Sequence, residues 1–202
     1  MTRVLLVRHA TNDTVGRLVA GWTPGVHLNE EGRVQAERLA RRLAGEPLRA
    51  VYASPLERTL ETARPIAAAH GLEPVACDAL GEIRFGEWTG RTFEELEKDE
   101  RWRRFNTFRS GTRPPGGEHM LEVQARVVSW LEGVRDRHAG REAVAAVTHG
   151  DVVKAAVFHY GGVSLDQVHR WDIAPASVST LELEASGARL VSVNDTCGTA
   201  GP

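Results

Sequence analysis

Cysteine is scarce in this 202-residue chain: there are two, Cys77 and Cys197, far apart and outside any C-x-x-C pattern. That excludes a disulfide framework and a cysteine-based zinc site, and it favours a reducing cytoplasm. An excess of one charge is missing as well. The 25 Lys and Arg nearly match the 27 Asp and Glu, for a net charge of −2. Neither a nucleic acid nor an anionic membrane surface has a footprint here. No apolar run reaches the ~18 residues of a membrane span, and the first residues read as a strand, not a secretory signal. Internal repeats, low-complexity runs and an interdomain linker are absent. No carboxylates, cysteines and histidines cluster at metal-ligand spacing, so neither a metal nor another cofactor is expected.

What is present is ordinary in bulk and patterned in detail. Hydrophobic residues make up 42% and charged residues 26%, and a chain of this length can bury roughly 70% of its unfolded surface. Apolar runs alternate with helical patterns. Arg3 to Val7 is continuously apolar, as a strand covered on both faces should be. Asn29 caps an amphipathic helix over Gly32 to Leu43. A short strand then leads to a Ser54 cap with Pro55 at the first helical position; Pro65 kinks or divides that helix, and Gly71 stops it. Extended pieces near Glu73 to Cys77 precede a glycine-punctuated loop, "GEIRFGEWTGR". Thr92 opens a helical stretch over Phe93 to Lys98, and a long helix covers Glu118 to about Arg137. "AVAAVTH" repeats the opening pattern and is followed by a helix at about Val152 to Tyr160. Two alternating strands joined at Ser186-Gly187 end the pattern. The expectation is one α/β domain over residues 1–194, a three-layer helix–sheet–helix with a mostly parallel sheet and an antiparallel C-terminal edge. A short flexible tail takes up 195–202. A homodimer is left open by a sequence without heptads or an isolated apolar patch.

Ligands of open α/β sheets collect at the carboxyl ends of the strands. Arg8 and His9 end the first strand side by side, an adjacency of repelling groups that suggests a missing anion. Arg58 falls in the first turn of a helix, where the macrodipole disfavours a cation unless an anion lies between them. His149 ends the "AVAAVTH" strand, and Glu82 follows an extended piece. Taken singly, each has a bland reading: a hydrogen-bonded structural histidine, a surface arginine, a solvated carboxylate. Together they put two histidines, two arginines and one carboxylate within reach of one another.

"LVRHATN", "GRLVAGWTPGVHLNEEGRVQA", "YASPLERTLETA", "GEIRFGEWTGR", "PPGGEHMLEVQARV" and "VTHGDVVKA" resemble, in order, the motifs of the histidine phosphatase superfamily, the phosphoglycerate-mutase-like family. The resemblance runs from Arg3 to about Lys154 and implies the phosphoglycerate-mutase-like fold. It implies that His9 is the nucleophile, that Arg8, Arg58 and His149 grip the phosphoryl oxygens, and that Glu82 shuttles the proton. Gly150 joins them as a substrate-binding position. The implied activity is metal-independent hydrolysis of a small soluble phosphomonoester through phosphohistidine. Phosphoglycerate mutase chemistry would use the same residues, and a non-catalytic phosphate-binding regulator is a third reading, against which the intact residue set argues. Some thirty residues separate Glu82 from Pro114, where mutases of the family carry an insertion, so the phosphatase branch is expected.

Departures from the family pattern are local. Ala10 stands where glycine usually follows the histidine, and Val15 where an asparagine is common. Asn12 or Asp13 can substitute; Asn12 reads equally as a phosphate ligand or as a loop-turn residue. His119 replaces a frequent serine, and reads either as a pocket residue or as a surface residue at a helix start. His27, His70, His138, His159 and His169 read as structural or exposed. "ERWRRFNTFRSGTR" is read mainly as solvated charge, with a lid for an anionic substrate as the alternative and Trp102, Phe105 and Phe108 as its anchors.

Overall fold

Four consecutive apolar residues, Val4 to Val7, leave water completely only if both faces of their strand are covered. The computed structural model describes residues 1–138, 140 and 142–196. In it, strand β1 (Thr2–Arg8) lies inside a six-stranded sheet of order β3-β2-β4-β1-β5-β6. Strands β2 (Leu48–Ala53), β3 (Pro74–Ala76) and β4 (Ala143–Thr148) run parallel to β1. Strands β5 (Val178–Glu184) and β6 (Gly187–Asp195) form the antiparallel edge. This is the expected mixed sheet.

The pleat sends alternate residues to opposite layers. Leu5 and Val7 pack with helices α1 (Glu30–Leu43) and α2 (Glu57–Ala68), while Val4 and Leu6 pack with α5 (Met120–Arg137) and α6 (Gly150–Gly161). Each of these fully buried side chains contributes about 1.5–3 kcal/mol by leaving water. Parallel register then sets the ends of three strands side by side: Arg8 is level with Thr148, and Ala53 with Val147.

Several boundaries differ from expectation. Asn29 caps α1 as expected, accepting from the Gly32 amide at 2.9 Å. Ser54 does not cap α2, which starts at Glu57 with Leu56 in the cap position. Pro55 biases the residue before it towards extended backbone, and the Ser54 amide continues the sheet to Val147. The Ser54 hydroxyl is turned to His149 instead. Nor does Pro65 divide α2. It lies inside one continuous helix, one turn from the end, so the missing amide removes only a single intrahelical bond. The capping box of Thr92 and Glu95 opens α3, but only over Phe93–Leu96. A further helix, α4 (Glu100–Thr107), capped by Asp99, stands where the sequence pattern gave none. Strand β6 extends to Asp195, whose carboxylate lies 2.6 Å from Arg42. The remainder of the proposed tail, 197–202 with Cys197, lies outside the described residues. Among the described residues, no helix is long and apolar enough to cross a membrane.

Candidate active site

His9 and His149 sit at the carboxyl ends of the adjacent strands β1 and β4, and their rings meet edge to face with centroids 5.3 Å apart. The His9 amide bonds to Thr148 O at 2.8 Å, which locks that juxtaposition into the sheet. His9 Nδ1 donates to the carbonyl of Ala10 at 2.8 Å. In the neutral ring that hydrogen bond leaves the lone pair on Nε2. Burial lowers the His9 pKa well below 6.5, and the guanidiniums of Arg58 and Arg8 lower it further. A nucleophile at phosphorus needs this unprotonated state.

His149 is fully buried at the start of α6. Its Nε2 lies 2.9 Å from Ser54 Oγ, and its Nδ1 lies 3.4 Å from Arg58 Nη2 and 3.6 Å from Glu82 Oε2. Burial holds its pKa well below the usual value, with Arg58 the next cause. Arg58, 2% exposed, is fixed by donation from Nη2 to Gly21 O at 2.8 Å. Arg8 Nη1 donates to Ile173 O. Arg8 Nε, Arg58 Nη1 and Asn12 Nδ2 are buried and have no hydrogen-bond partner among the described residues. An unsatisfied buried donor costs about 1–3 kcal/mol; three of them beside one imidazole describe a site shaped for an anion. No side chain caps the first turn of α6, so its amides, beginning at Gly150, add to the same positive field.

Glu82 faces this group from the loop after Asp78–Leu80. Its Oε1 accepts from the Ile83 amide at 3.0 Å. Burial, then the charge of Asp151, raises its pKa to about 7, against the opposing pull of Arg58. A carboxyl with that pKa can both give and take a proton near neutrality.

All of the residues singled out in the sequence for the site, Arg8, His9, Asn12, Arg58, Glu82 and Gly150, line one cavity of about 300 Å3, with His149 buried beneath them. Asn12 forms the turn that its sequence position allowed and keeps its amide nitrogen buried at the cavity. Its Oδ1 makes the turn by accepting from Thr14 at 2.9 and 2.6 Å, and its Nδ2 stays unpaired beside the pocket. Asp13 is exposed and bonds Asn29, away from the cavity. His119 caps α5 and is not part of the wall, so the surface reading is the correct one.

The cavity has further lining residues, three of them in the stretch whose alternative reading was a lid. Trp102, Asn106 and Arg109, on and just after α4, form the roof, and Asp151, Lys154 and Asp172 line the cavity as well, Asp151 in contact with Arg109. Arg109 donates to Asp151 at 2.8 Å and to Asn106 at 3.1 Å, and its guanidinium lies 4.0 Å above the Phe105 ring. Burial pushes the Asp151 pKa up, but Arg109 and Lys154 outweigh it and the net shift is downward. Trp102 and Phe105 anchor the roof as expected, whereas Phe108 is 43% exposed and does not. The signal for Asp151 was in plain view, two residues beyond His149; Arg109 was marked only by its place in the stretch whose alternative reading was a lid.

Comparison with known proteins identifies the family. Phosphoserine phosphatase 1 of Hydrogenobacter thermophilus is 36% identical over 201 residues, covering 98% of this chain and 94% of that one. Phosphoglycerate mutase-like protein 4 of Arabidopsis thaliana is 35% identical over 158 residues, 75% of this chain and 68% of that protein. The solved structure of Bacillus stearothermophilus YhfR superposes with a TM-score of 0.90 at 30% identity, covering 96% of this chain and 98% of that one. The family model of the histidine phosphatase superfamily (branch 1) matches residues 4–196, and the chain belongs to that superfamily.

Proposed function

We propose that this protein hydrolyses a small, soluble phosphomonoester in two displacements at His9. The observation that carries the reading is the pairing of an unprotonated, oriented imidazole with unpartnered buried donors on Arg8, Arg58 and Asn12. The phosphoryl group sits among those donors and the first turn of α6. His9 Nε2 attacks phosphorus, the bond from phosphorus to the leaving oxygen breaks, and Glu82 gives that oxygen its proton. Glu82, now ionised, takes a proton from water; the hydroxide oxygen bonds phosphorus, the P–N bond breaks, and phosphate and free His9 result. The two guanidiniums meet the charge spread over the equatorial oxygens. A dianion beside Arg58 and His149 also opposes the burial and the repulsion that keep His149 neutral, so that Nδ1 can become a donor while Nε2 stays on Ser54.

Hydrolysis is favoured over mutase chemistry by the short stretch between Glu82 and Pro114, and by a relative, similar along nearly the whole chain, that is named a phosphatase. The scarcity of cysteine supports a reducing, cytoplasmic setting. Rapid mixing with a phosphomonoester panel that includes phosphoserine, followed by an acid or alkaline quench, tests the reading. An acid-labile, base-stable phosphoenzyme that forms and decays at the turnover rate is expected. Turnover without such a species rules out the phosphohistidine route, and binding without either makes the protein a phosphate-binding regulator. Isomerisation of 3-phosphoglycerate faster than phosphate release makes it a mutase.

A further inference from the structure

Glu82 owes its position to one peptide unit. Its carboxylate Oε1 accepts from the Ile83 amide at 3.0 Å, and the carbonyl at the other end of that same peptide belongs to Glu82 itself. Two donors from distant parts of the chain grip this carbonyl: Trp22 Nε1 at 2.6 Å and Arg126 Nη2 at 3.3 Å. Both donors are themselves held. Arg126 Nε and Nη2 bond the Glu118 carboxylate at 2.8 and 3.1 Å, and Nη1 bonds Ala79 O at 2.7 Å. The Glu118 amide in turn bonds Arg84 O at 2.7 Å. The Arg84 guanidinium lies 4.1 Å from the centre of the Trp22 ring. Gly81 is part of the same fit, since a Cβ there would come within 2.3 Å of the indole.

We infer that Trp22 and Arg126 are positioning residues for the proton-transfer step, acting on the Glu82 carboxyl through the rigid peptide between Glu82 and Ile83. A peptide is planar, so fixing its oxygen fixes the direction of its N–H. Hydrogen bonds to the oxygen also polarise the unit and strengthen the N–H as a donor. That N–H occupies Oε1 and repels a proton there, which leaves the proton on Oε2. Oε2 is the atom that lies 3.6 Å from His149 Nδ1, on the side of the reacting group. The clamp therefore selects which carboxyl oxygen carries the proton as well as where it stands. A side chain held directly would show its partners on the carboxylate; here they are on the backbone, and neither Trp22 nor Arg126 lines the phosphate cavity.

This inference rests on the phosphatase reading, and the experiment separates the two. Trp22→Phe removes the indole donor while keeping an aromatic ring under Arg84; Arg126→Lys keeps the charge and removes the fork. Single-turnover phosphorylation of His9 is followed with an alkyl phosphate and with 4-nitrophenyl phosphate. Both variants are expected to lose about 10–100-fold with the alkyl ester, whose leaving oxygen needs a proton, and less than about 3-fold with the aryl ester. In a Glu82→Gln background, Trp22→Phe is expected to add almost nothing, because its effect passes through Glu82. Equal losses with both esters, or losses that add fully to those of Glu82→Gln, overturn the clamp and leave the phosphohistidine reading standing. Absence of a phosphoenzyme in the unmodified protein overturns both. Should Arg126→Lys unfold by circular dichroism, Trp22→Phe alone decides.

Discussion

Among the described residues, Arg8 and Arg58, at the floor of the pocket, have buried nitrogens without an acceptor and no carboxylate within ion-pair distance. Arg109, in the roof, also has a buried Nε without an acceptor, but its charge is met by Asp151 at 2.8 Å, with Asn106 at 3.1 Å and an aromatic ring beneath it. Next to it, the Ser110 amide and hydroxyl each bond an Asp166 oxygen at 2.8 Å. The contrast separates two uses of charge. An uncompensated buried cation destabilises the fold, and it persists where a ligand of opposite sign completes it. A compensated one fastens structure. On that ground we assign the proposed chemistry to the floor and treat the roof as a fastened wall that shapes what can reach it.

The largest effect expected on the floor follows from removing the nucleophile. His9→Ala removes the nitrogen proposed to bond phosphorus, so phosphate release should fall by ~10⁴-fold or more and phosphoenzyme should vanish. The fold should persist, because the change removes an imidazole that burial and two cations already disfavour in its charged form. Substantial turnover in a variant with normal circular dichroism removes His9 from the mechanism and levels the contrast between floor and roof.

Next comes Glu82→Gln. Loss of the acid should slow an alkyl phosphate by ~10²–10⁴-fold and an aryl phosphate much less in the phosphorylation step. The pH profile sharpens the same point. Phosphorylation needs the protonated carboxyl, whose pKa burial and Asp151 raise to about 7. As pH rises through that value the free protein loses the proton, so kcat/KM for the alkyl ester should fall about tenfold per unit above it. Glu82→Gln should abolish that limb. A limb that survives the substitution belongs to another group.

The same contrast explains what could be read from the sequence. The floor was legible because its residues are tied to the ends of strongly patterned elements: Arg8 and His9 to an unbroken apolar run, His149 to a second one, Arg58 to a helix start. Parallel pairing turns such sequence positions into spatial neighbours. The roof was legible only as the alternative reading of its stretch as a lid. Helix α4 is eight residues long, too short to show a period, and its sequence alternates arginine with aromatics that suit a solvated or a buried face equally. Arg109 gains its meaning only from Asp151, 42 positions away. Ser54 misled for a related reason: its cap-like context was real, but His149, from another strand, is a stronger claimant for its hydroxyl than the helix amides. The Glu82 clamp was invisible because its hydrogen bonds end on backbone atoms, which no residue type announces.

A smaller effect is expected in the roof. Arg109→Met keeps the stem over Phe105 and removes the bond to Asp151. With a fastening lost but the floor untouched, kcat/KM should fall by about 10-fold or less, chiefly through KM. Freed of Arg109, Asp151 repels the Glu82 carboxylate more strongly, so the alkyl-ester limb should move to higher pH, not lower. A loss as large as that of Glu82→Gln with both esters would make Arg109 part of the chemistry and blur the division.

The smallest expected effect is none. In the floor, the positive charge that a phosphoryl group needs is covalently part of the protein, on Arg8 and Arg58, with the amides of the first turn of α6 beside it. A divalent cation entering that space would meet two guanidiniums at close range and no set of carboxylates to hold it. Among the described residues, no group of three or more His, Cys, Asp and Glu side chains is arranged to bind a metal ion. Asp151, the carboxylate nearest in sequence to His149, is already engaged by Arg109. Dialysis against a strong chelator should therefore leave phosphate release unchanged within error, and added magnesium or zinc should not raise it. A loss restored by one divalent metal would mean that the charge at the floor is not supplied by arginine, and the contrast with the roof would fall with it.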